Sequence, residues 1–407
     1  MTKTYDLITV GGGAAGLFAS VWAARSGKKT LLIEKNERCG KKLDITGKGR
    51  CNMTNACGGR EEFLANVPKN PRFLMGAITK FTQQDTIDFF ESLGVPTKIE
   101  RGNRVFPQSD KAHDVTRALV KECEVLGVEF LQAEVSSVEC ANGAVTGVRC
   151  GERFIPAKNV ILATGGASYP RTGSDGGGYR IASALGHTVT KIRPSLVPLV
   201  SGDPLCRECM GLSLKNVGME FVKNGKTLYS DQGEMLFTHF GVSGPVILSA
   251  SAYIGLDYPC TLKIDLKPAL DEKTLDRRIL RDFSEGTNRE LKNSLGGLLP
   301  QRLIMPFIRR TGIDPQTALN SVTREQRAAI LHTLKSLAVE ITGTRPIDEA
   351  IVTSGGVDVK EIDPRTMESK LIKGLRFAGE IIDVDAYTGG FNLQIAFSTA
   401  YSAATSL

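Results

Sequence analysis

No uninterrupted apolar run in this chain of 407 residues approaches the roughly 20 residues needed to cross a bilayer, so membrane-spanning classes are set aside. Asp6 breaks any apolar stretch near the start, and glycines begin at Gly11, which leaves no pattern of a secretory leader. The nine cysteines follow no disulfide framework, so a reducing cytoplasm is the expected setting. Cys206-Arg207-Glu208-Cys209 has metal-ligand spacing but no second pair, and no metal is expected. Charge of one sign is not in excess either: 51 basic against 44 acidic residues leave +7. That balance favours anionic small molecules without by itself marking a nucleic-acid binder.

What is abundant is glycine, with 43 residues, and its densest use comes first. Tyr5 to Val10 is a short apolar run suited to a buried parallel strand. Gly11, Gly13 and Gly16 then form G-x-G-x-x-G, a helix of small residues runs to Ser26, Gly27 closes it, and a second strand ends at Glu34. Gly11 permits the tight turn, Gly13 lets a pyrophosphate approach the backbone, and Gly16 lets helix and strand pack closely. The N–H groups at Ala14 and Ala15 meet the phosphates at a positive helix end. Glu34, 18 residues after Gly16, can accept hydrogen bonds from ribose hydroxyls. The alternative, a glycine turn with no ligand, leaves these residues without a common cause. No second full fingerprint exists: Gly176 to Gly178 lacks an adjoining strand and acid.

The stretch from Glu37 to Asn55 reads as a long loop dense in Gly, Lys and Arg, either solvated or in contact with the cofactor. Pro71 to Leu93 reads as one helix ended by Gly94, and Asp110 as the cap of a helix from Lys111 to Leu126. Asn142-Gly143 marks a hairpin. A strand over 160–163 ends in Thr164-Gly165, where backbone can approach a ligand closely. From Pro194 to about residue 270 the pattern is β-rich, and residues 271–339 are mostly helical, with a capping box at Thr323-Arg324-Glu325-Gln326. The helical part carries Arg277, Arg278, Arg281, Arg302, Arg309, Arg310, Arg324 and Arg327. A solvated basic face is the default reading of these, ahead of an RNA surface. The last stretch returns to a strand over 375–378, Gly379-Glu380, and a helix of small apolar residues from Phe391.

Together Gly11 to Gly16 with Glu34, Ala163-Thr164-Gly165, and Gly379-Glu380 with Gly390-Phe391-Asn392 resemble flavoproteins of the glutathione-reductase-like superfamily. The segments 40–43, 46–55, Arg104-Val105-Phe106-Pro107, 237–245 and 388–394 resemble a bacterial FAD-dependent oxidoreductase family that includes aminoacetone oxidase and BaiN-type bile-acid reductases. The likeness spans nearly the whole chain. It implies an α/β fold: a Rossmann-like FAD-binding domain built from both chain ends, 1–193 and 340–407, with an inserted β-rich domain (194–270) and an inserted helical domain (271–339). It places Gly11 to Gly16 at the pyrophosphate, Glu34 and Lys35 at the adenosine ribose end, and Val135 near adenine through its backbone. Lys42, Thr46, Gly49, Arg50, Cys51 and Asn52 would approach phosphates or flavin, beside Thr164 and Gly165. Gly379 and Glu380 would meet the ribityl-phosphate region; many relatives carry Asp where Glu380 stands. Gly390, Phe391, Asn392 and Leu393 would face the flavin ring, where a helix N-terminus stabilises negative charge on reduced flavin.

A flavin does the redox chemistry itself, so few acid–base residues are needed. His239, in a glycine-rich turn, is the first candidate for proton transfer, against the usual structural role of a lone histidine. Arg104 and Tyr387 are candidates for holding substrate, and a surface role for Arg104 is equally open. Cys51 and Cys57 lie near where flavin disulfide reductases keep a redox pair, but with five intervening residues instead of four. The expected function is an FAD-dependent oxidoreductase acting on a small organic substrate, the flavin reduced by transiently docked NAD(P)H. An O₂-linked amine (aminoacetone-like) oxidase and a nucleic-acid-associated flavoprotein are the alternatives.

Overall fold

The computed structural model describes residues 3–255 and 257–407. It separates into two compact units, one made of residues 1–195 and 346–407, the other of 196–345.

The first unit is organised around Tyr5–Val10, whose side chains are almost all buried. Burial on both faces is why this strand reads as a continuous apolar run rather than an alternating one. It pairs in parallel with Thr30–Glu34 on one side and Arg153–Leu162 on the other. Glu129–Gln132 extends the sheet past Thr30–Glu34, and Leu375–Phe377, from the far end of the chain, pairs in parallel with Arg153–Leu162. The antiparallel hairpin Ser137–Ala141/Ala144–Cys150 completes seven strands, turning at Asn142-Gly143, both with positive φ as such a turn requires. Helix Ala14–Arg25 packs on the last helix, Phe391–Thr405, with Phe18 and Phe397 rings 4.9 Å apart and Trp22 and Tyr401 rings 4.8 Å apart. Neither helix has a polar face, since both are enclosed.

The second unit holds a seven-stranded antiparallel sheet in the order Leu337–Ile341, Cys260–Asp265, Ser213–Lys223, Lys226–Thr238, Gly241–Ser243, Leu199–Val200, Gly343–Thr344. Helices Pro245–Ile254, Glu272–Glu285, Gln301–Thr311 and Arg324–Lys335 share one hydrophobic core with these strands.

Several local expectations are corrected. The stretch 37–55 is not wholly loop: it contains a helix, Lys41–Gly49, broken at Thr46–Lys48 where Gly47 and Lys48 adopt left-handed conformations. The stretch 71–93 is two helices, Pro71–Lys80 and Gln83–Ser92, because Phe81 is extended and Thr82 with Asp85 forms a capping box that starts the second. Lys111, not Asp110, is the N-cap of Ala112–Val125; the Asp110 carboxylate is taken by Arg50 and Lys98. The boundaries fall at 195/196 and 345/346 rather than 193/194 and 339/340, since Arg193–Ser195 pairs with Val352–Ser354 and Leu337–Ile341 with Cys260–Asp265. The β-rich and helical insertions are one unit because they close a single core.

Candidate functional site

The glycine turn divides its labour as its three positions require. Gly11 has φ +102°, and a Cβ there would lie 2.6 Å from the Ala163 carbonyl oxygen. A Cβ on Gly16 would collide with the Gly11 carbonyl oxygen, whereas one on Gly13 would meet nothing within 4 Å. Gly11 and Gly16 therefore serve packing, and Gly13 borders open space. Helix Ala14–Arg25 starts at Gly13 with no side-chain cap and no acid in its first turn. Its first-turn N–H groups are left without a side-chain acceptor at the positive end of the helix. Glu34 stands beside them: Oε2 accepts from Gly12 N–H at 2.6 Å, and Oε1 accepts from the Asn36 backbone at 2.8 Å and side chain at 2.7 Å. The carboxylate thus stiffens the turn at the end of Thr30–Glu34.

The segment after it is held by ion pairs. Lys35 pairs with Asp175 at 2.7 Å. Lys42 and Glu380, both expected to reach cofactor, hold each other at 2.7 Å, with Ser168 between them and Thr353 N–H donating to Glu380 at 2.8 Å. Arg50 pairs with Glu100 and Asp110, and its guanidinium lies 4.1 Å from the Phe106 ring centre. Its charge is already balanced on an open surface. The Thr46 hydroxyl donates to Leu43 O, and Gly49 has positive φ. Cys51 is fully buried in a left-handed conformation, and burial pushes its thiol up to about 12. The Cys57 thiol is also raised by burial, and both are free. Thiols held protonated are poor nucleophiles, which argues against a working dithiol. Cys206 and Cys209 are likewise free, with thiols raised to about 11 by burial.

Two buried polar atoms in the expected site have no hydrogen-bond partner among the described residues: Asn52 Oδ1 and Thr164 Oγ1. Buried groups of this kind are normally satisfied, and a bound polar molecule would satisfy them. Val135 is buried, and Gly165 carries φ +72° beside Ser174.

The carboxyl end of the chain closes the cradle. Gly379 has φ +75°; a Cβ there would sit 2.8 Å from Ala15 Cβ, so glycine lets this strand end meet the first helix. A Cβ on Gly390 would collide with the Thr54 carbonyl. Helix Phe391–Thr405 also begins without a side-chain cap or first-turn acid. Asn392 does not point its amide outward: it accepts from Ala386 N–H at 2.9 Å and donates to Ala386 O at 2.7 Å, bracing the preceding turn. Phe391 packs edge-on against Phe63 at 5.2 Å, and Leu393 is partly buried beside the core. Gln394, not singled out from the sequence, is a fully buried hub. Its carbonyl accepts from Thr54 and Thr86 at 2.6 and 2.7 Å, and its amide donates to Phe81 O, Thr82 O and Ser398 Oγ. A glutamine in an otherwise small, apolar helix was the available signal.

The substrate-side candidates fall on both units. Arg104 is exposed and donates to Arg101 O at 3.0 Å. Tyr387 is half-buried, its N–H donating to Asn66 O at 3.0 Å. His239 lies in the other unit, exposed in the turn between Lys226–Thr238 and Gly241–Ser243, with its ring 4.9 Å from Phe240. In the same unit Arg309 pairs with Glu208, Arg310 with Asp203, and Arg327 with Asp276 at 2.8 Å, so much of the arginine charge is locally balanced.

The chain matches the family described as "HI0933-like protein Rossmann domain" over residues 5–406. It is 34% identical to a ribosomal RNA dihydrouridine synthase of Escherichia coli, covering 100% of this chain and 98% of that one. It is 30% identical to a 3-dehydro-bile acid delta(4,6)-reductase of Clostridium scindens, covering 97% of each. Among solved structures it is similar in fold to a 3-ketosteroid-delta4-(5alpha)-dehydrogenase from Rhodococcus jostii, with TM-score 0.53, 17% identity, and 98% and 97% of the two chains covered.

Proposed function

Because the chain belongs to the HI0933-like family and carries its Rossmann-type FAD-binding domain, we propose that it is an FAD-dependent reductase that saturates a carbon–carbon double bond conjugated to a carbonyl. The observation that carries this reading is the cradle formed by both chain ends. Two uncapped helix N-termini, the open face at Gly13 and the unpartnered Asn52 and Thr164 oxygens belong to it. When bound, FAD supplies the hydride that adds to the substrate, NAD(P)H being the source of electrons. The chain's own residues hold the pyrophosphate against Gly13, Ala14 and Ala15, and the ribose against Glu34. They set a positive helix end at Phe391 and deliver the accompanying proton, for which His239 is the proposed donor.

The direction, reduction, is supported by the names of two relatives matched over nearly their full length. A dihydrouridine differs from uridine by one saturated ring bond, and a delta(4,6)-reductase removes ring double bonds in a steroid skeleton. A uracil ring in ribosomal RNA is the favoured substrate, since the 34% identical relative carries that name; a small enone is the second reading. All nine cysteines are free, which suits a reducing cytoplasm.

Purified protein should be yellow, and anaerobic NADPH should bleach the flavin band. Bleaching by an amine instead would turn the reading to an oxidase, and a colourless protein that takes up no FAD would end it. RNA from a strain lacking the protein, treated with enzyme and NADPH, should gain two hydrogens on a uridine by mass spectrometry; reduction of an enone alone would favour the small substrate. His239→Asn should lower turnover by about a hundredfold with FAD content unchanged.

A further inference from the structure

The chain leaves the first unit after Arg193–Ser195 and re-enters it before Val352–Ser354, and these two short strands pair antiparallel, Ser195 opposite Val352 and Arg193 opposite Ser354. This neck is tied to the cradle at two places. Thr353 N–H donates to Glu380, which holds Lys42. At the other place the side chain of Asp385, only 2% exposed, accepts from Ser195 Oγ at 2.7 Å, and Ser195 is itself fully buried. The other Asp385 oxygen, Oδ1, is buried with no hydrogen-bond partner among the described residues, and within the neck Arg193 Nε donates to Ser354 Oγ at 3.4 Å. Burying a carboxyl group is costly, and packing alone does not account for one here.

Asp385 lies immediately before the turn that precedes the last helix. The segment is anchored elsewhere too: Asp383 before the turn by Lys69 at 2.5 Å and Asn70 at 2.7 Å, and within the turn Ala386 by Asn392 and Tyr387 by Asn66. Of these anchors, Asp385 is the one that reaches the neck.

We propose that Asp385 is a positioning residue: through Ser195 it pins the turn at Ala386–Gly390 to the paired strands through which the chain leaves for and returns from the inserted unit. The orientation of the last helix's N-terminus then depends on whether the neck is in place. Only the flavin-facing role of that helix end rests on the function proposed above; the clasp itself does not.

The test uses the full chain and three variants, Asp385→Asn, Ser195→Ala and Ser195→Thr. In amide hydrogen exchange without added cofactor, Ser195→Ala and Asp385→Asn should speed exchange at Ala386 and Tyr387 by about tenfold, while exchange in Tyr5–Val10 stays at the wild-type rate. Ser195→Thr, which keeps the hydroxyl, should restore the wild-type rate. Unchanged exchange at Ala386 and Tyr387 in both disrupting variants would overturn the clasp, as would an equal acceleration throughout the sheet. With FAD bound, the same variants should shift the visible circular dichroism and the reduction potential of the flavin, and Ser195→Thr should not. A protein that binds no FAD but shows the exchange pattern would refute the flavin reading and leave the clasp standing.

Discussion

Two kinds of helix start occur in the molecule, and three helices of each unit show the contrast. In the inserted unit Asp203, Asp271 and Thr323 accept hydrogen bonds from the first-turn N–H groups of the helices they precede, Thr323 as part of a full capping box. In the first unit the helices Ala14–Arg25, Gly177–Ala184 and Phe391–Thr405 each follow a glycine and have no side-chain cap. A capped helix satisfies its own end, whereas an uncapped one beside open space leaves donors and a positive pole for something else. The contrast separates helix starts that are complete by themselves from helix starts that a bound anion would complete.

The sharpest way to break this comparison is at the glycines. Gly16→Ala forces a methyl group into the Gly11 carbonyl and should destabilise the fold by about 3 kcal/mol, read from the shift of the denaturation midpoint. Gly13→Ala adds the same methyl where nothing lies within 4 Å. It should leave the midpoint nearly unchanged while weakening FAD binding by about tenfold or more, a loss of about 1.4 kcal/mol, read by titration of the apoprotein. If both variants lose stability equally, the division of labour in the turn is wrong. In the inserted unit, Thr323→Ala should cost about 1 kcal/mol and leave FAD affinity alone; an effect on affinity would show that the capped unit is not independent of the cofactor.

The smallest effect concerns pH. Burial raises the Asp385 carboxyl above its usual range, opposed by the Ser195 and Ser354 hydroxyls and by the charges of Lys69 and Arg193. An acid with a raised folded-state pKa binds more protons folded than unfolded. Its contribution is therefore most favourable below the unfolded carboxylate pKa and is lost as pH rises through the folded value. Asp383 and Tyr179 share this surrounding, so the clean measurement is a difference. Relative to Asp385→Asn, the wild-type melting temperature should fall as pH is raised from about 4, and parallel curves would remove the titration.

Much of the cradle is legible in the sequence. Strand, glycine turn, helix and acid over residues 5–34 each announce themselves through local conformational demands, and the last helix through its small apolar composition. Less was legible where one signal could serve two conformations. The Gly-Lys-Arg stretch 40–50 reads as loop, yet Lys41–Gly49 is helical until Thr46–Lys48 break it. The apolar spacing over 71–93 hides the break at Phe81 because both halves bury the same kind of face. Arg50 is expected near phosphate or flavin from its place after the ribose-binding acid and from the resemblance; its pairing with Glu100 and Asp110, brought beside it by folding, is not readable from the sequence.

By itself, the order of residues determined the first βαβ unit, the glycine positions and the buried character of both terminal helices. Turn conformation, strand period and apolar continuity are properties of neighbouring residues and need no knowledge of the rest of the chain. Only the tertiary structure decided that Lys42 holds Glu380, 338 residues away, that Asp385 reaches back 190 residues to Ser195, and that Gln394 joins Thr54 to Thr86. A buried polar side chain must satisfy its hydrogen bonds with whatever the fold brings within reach, and that choice is made only when the two ends of the chain meet.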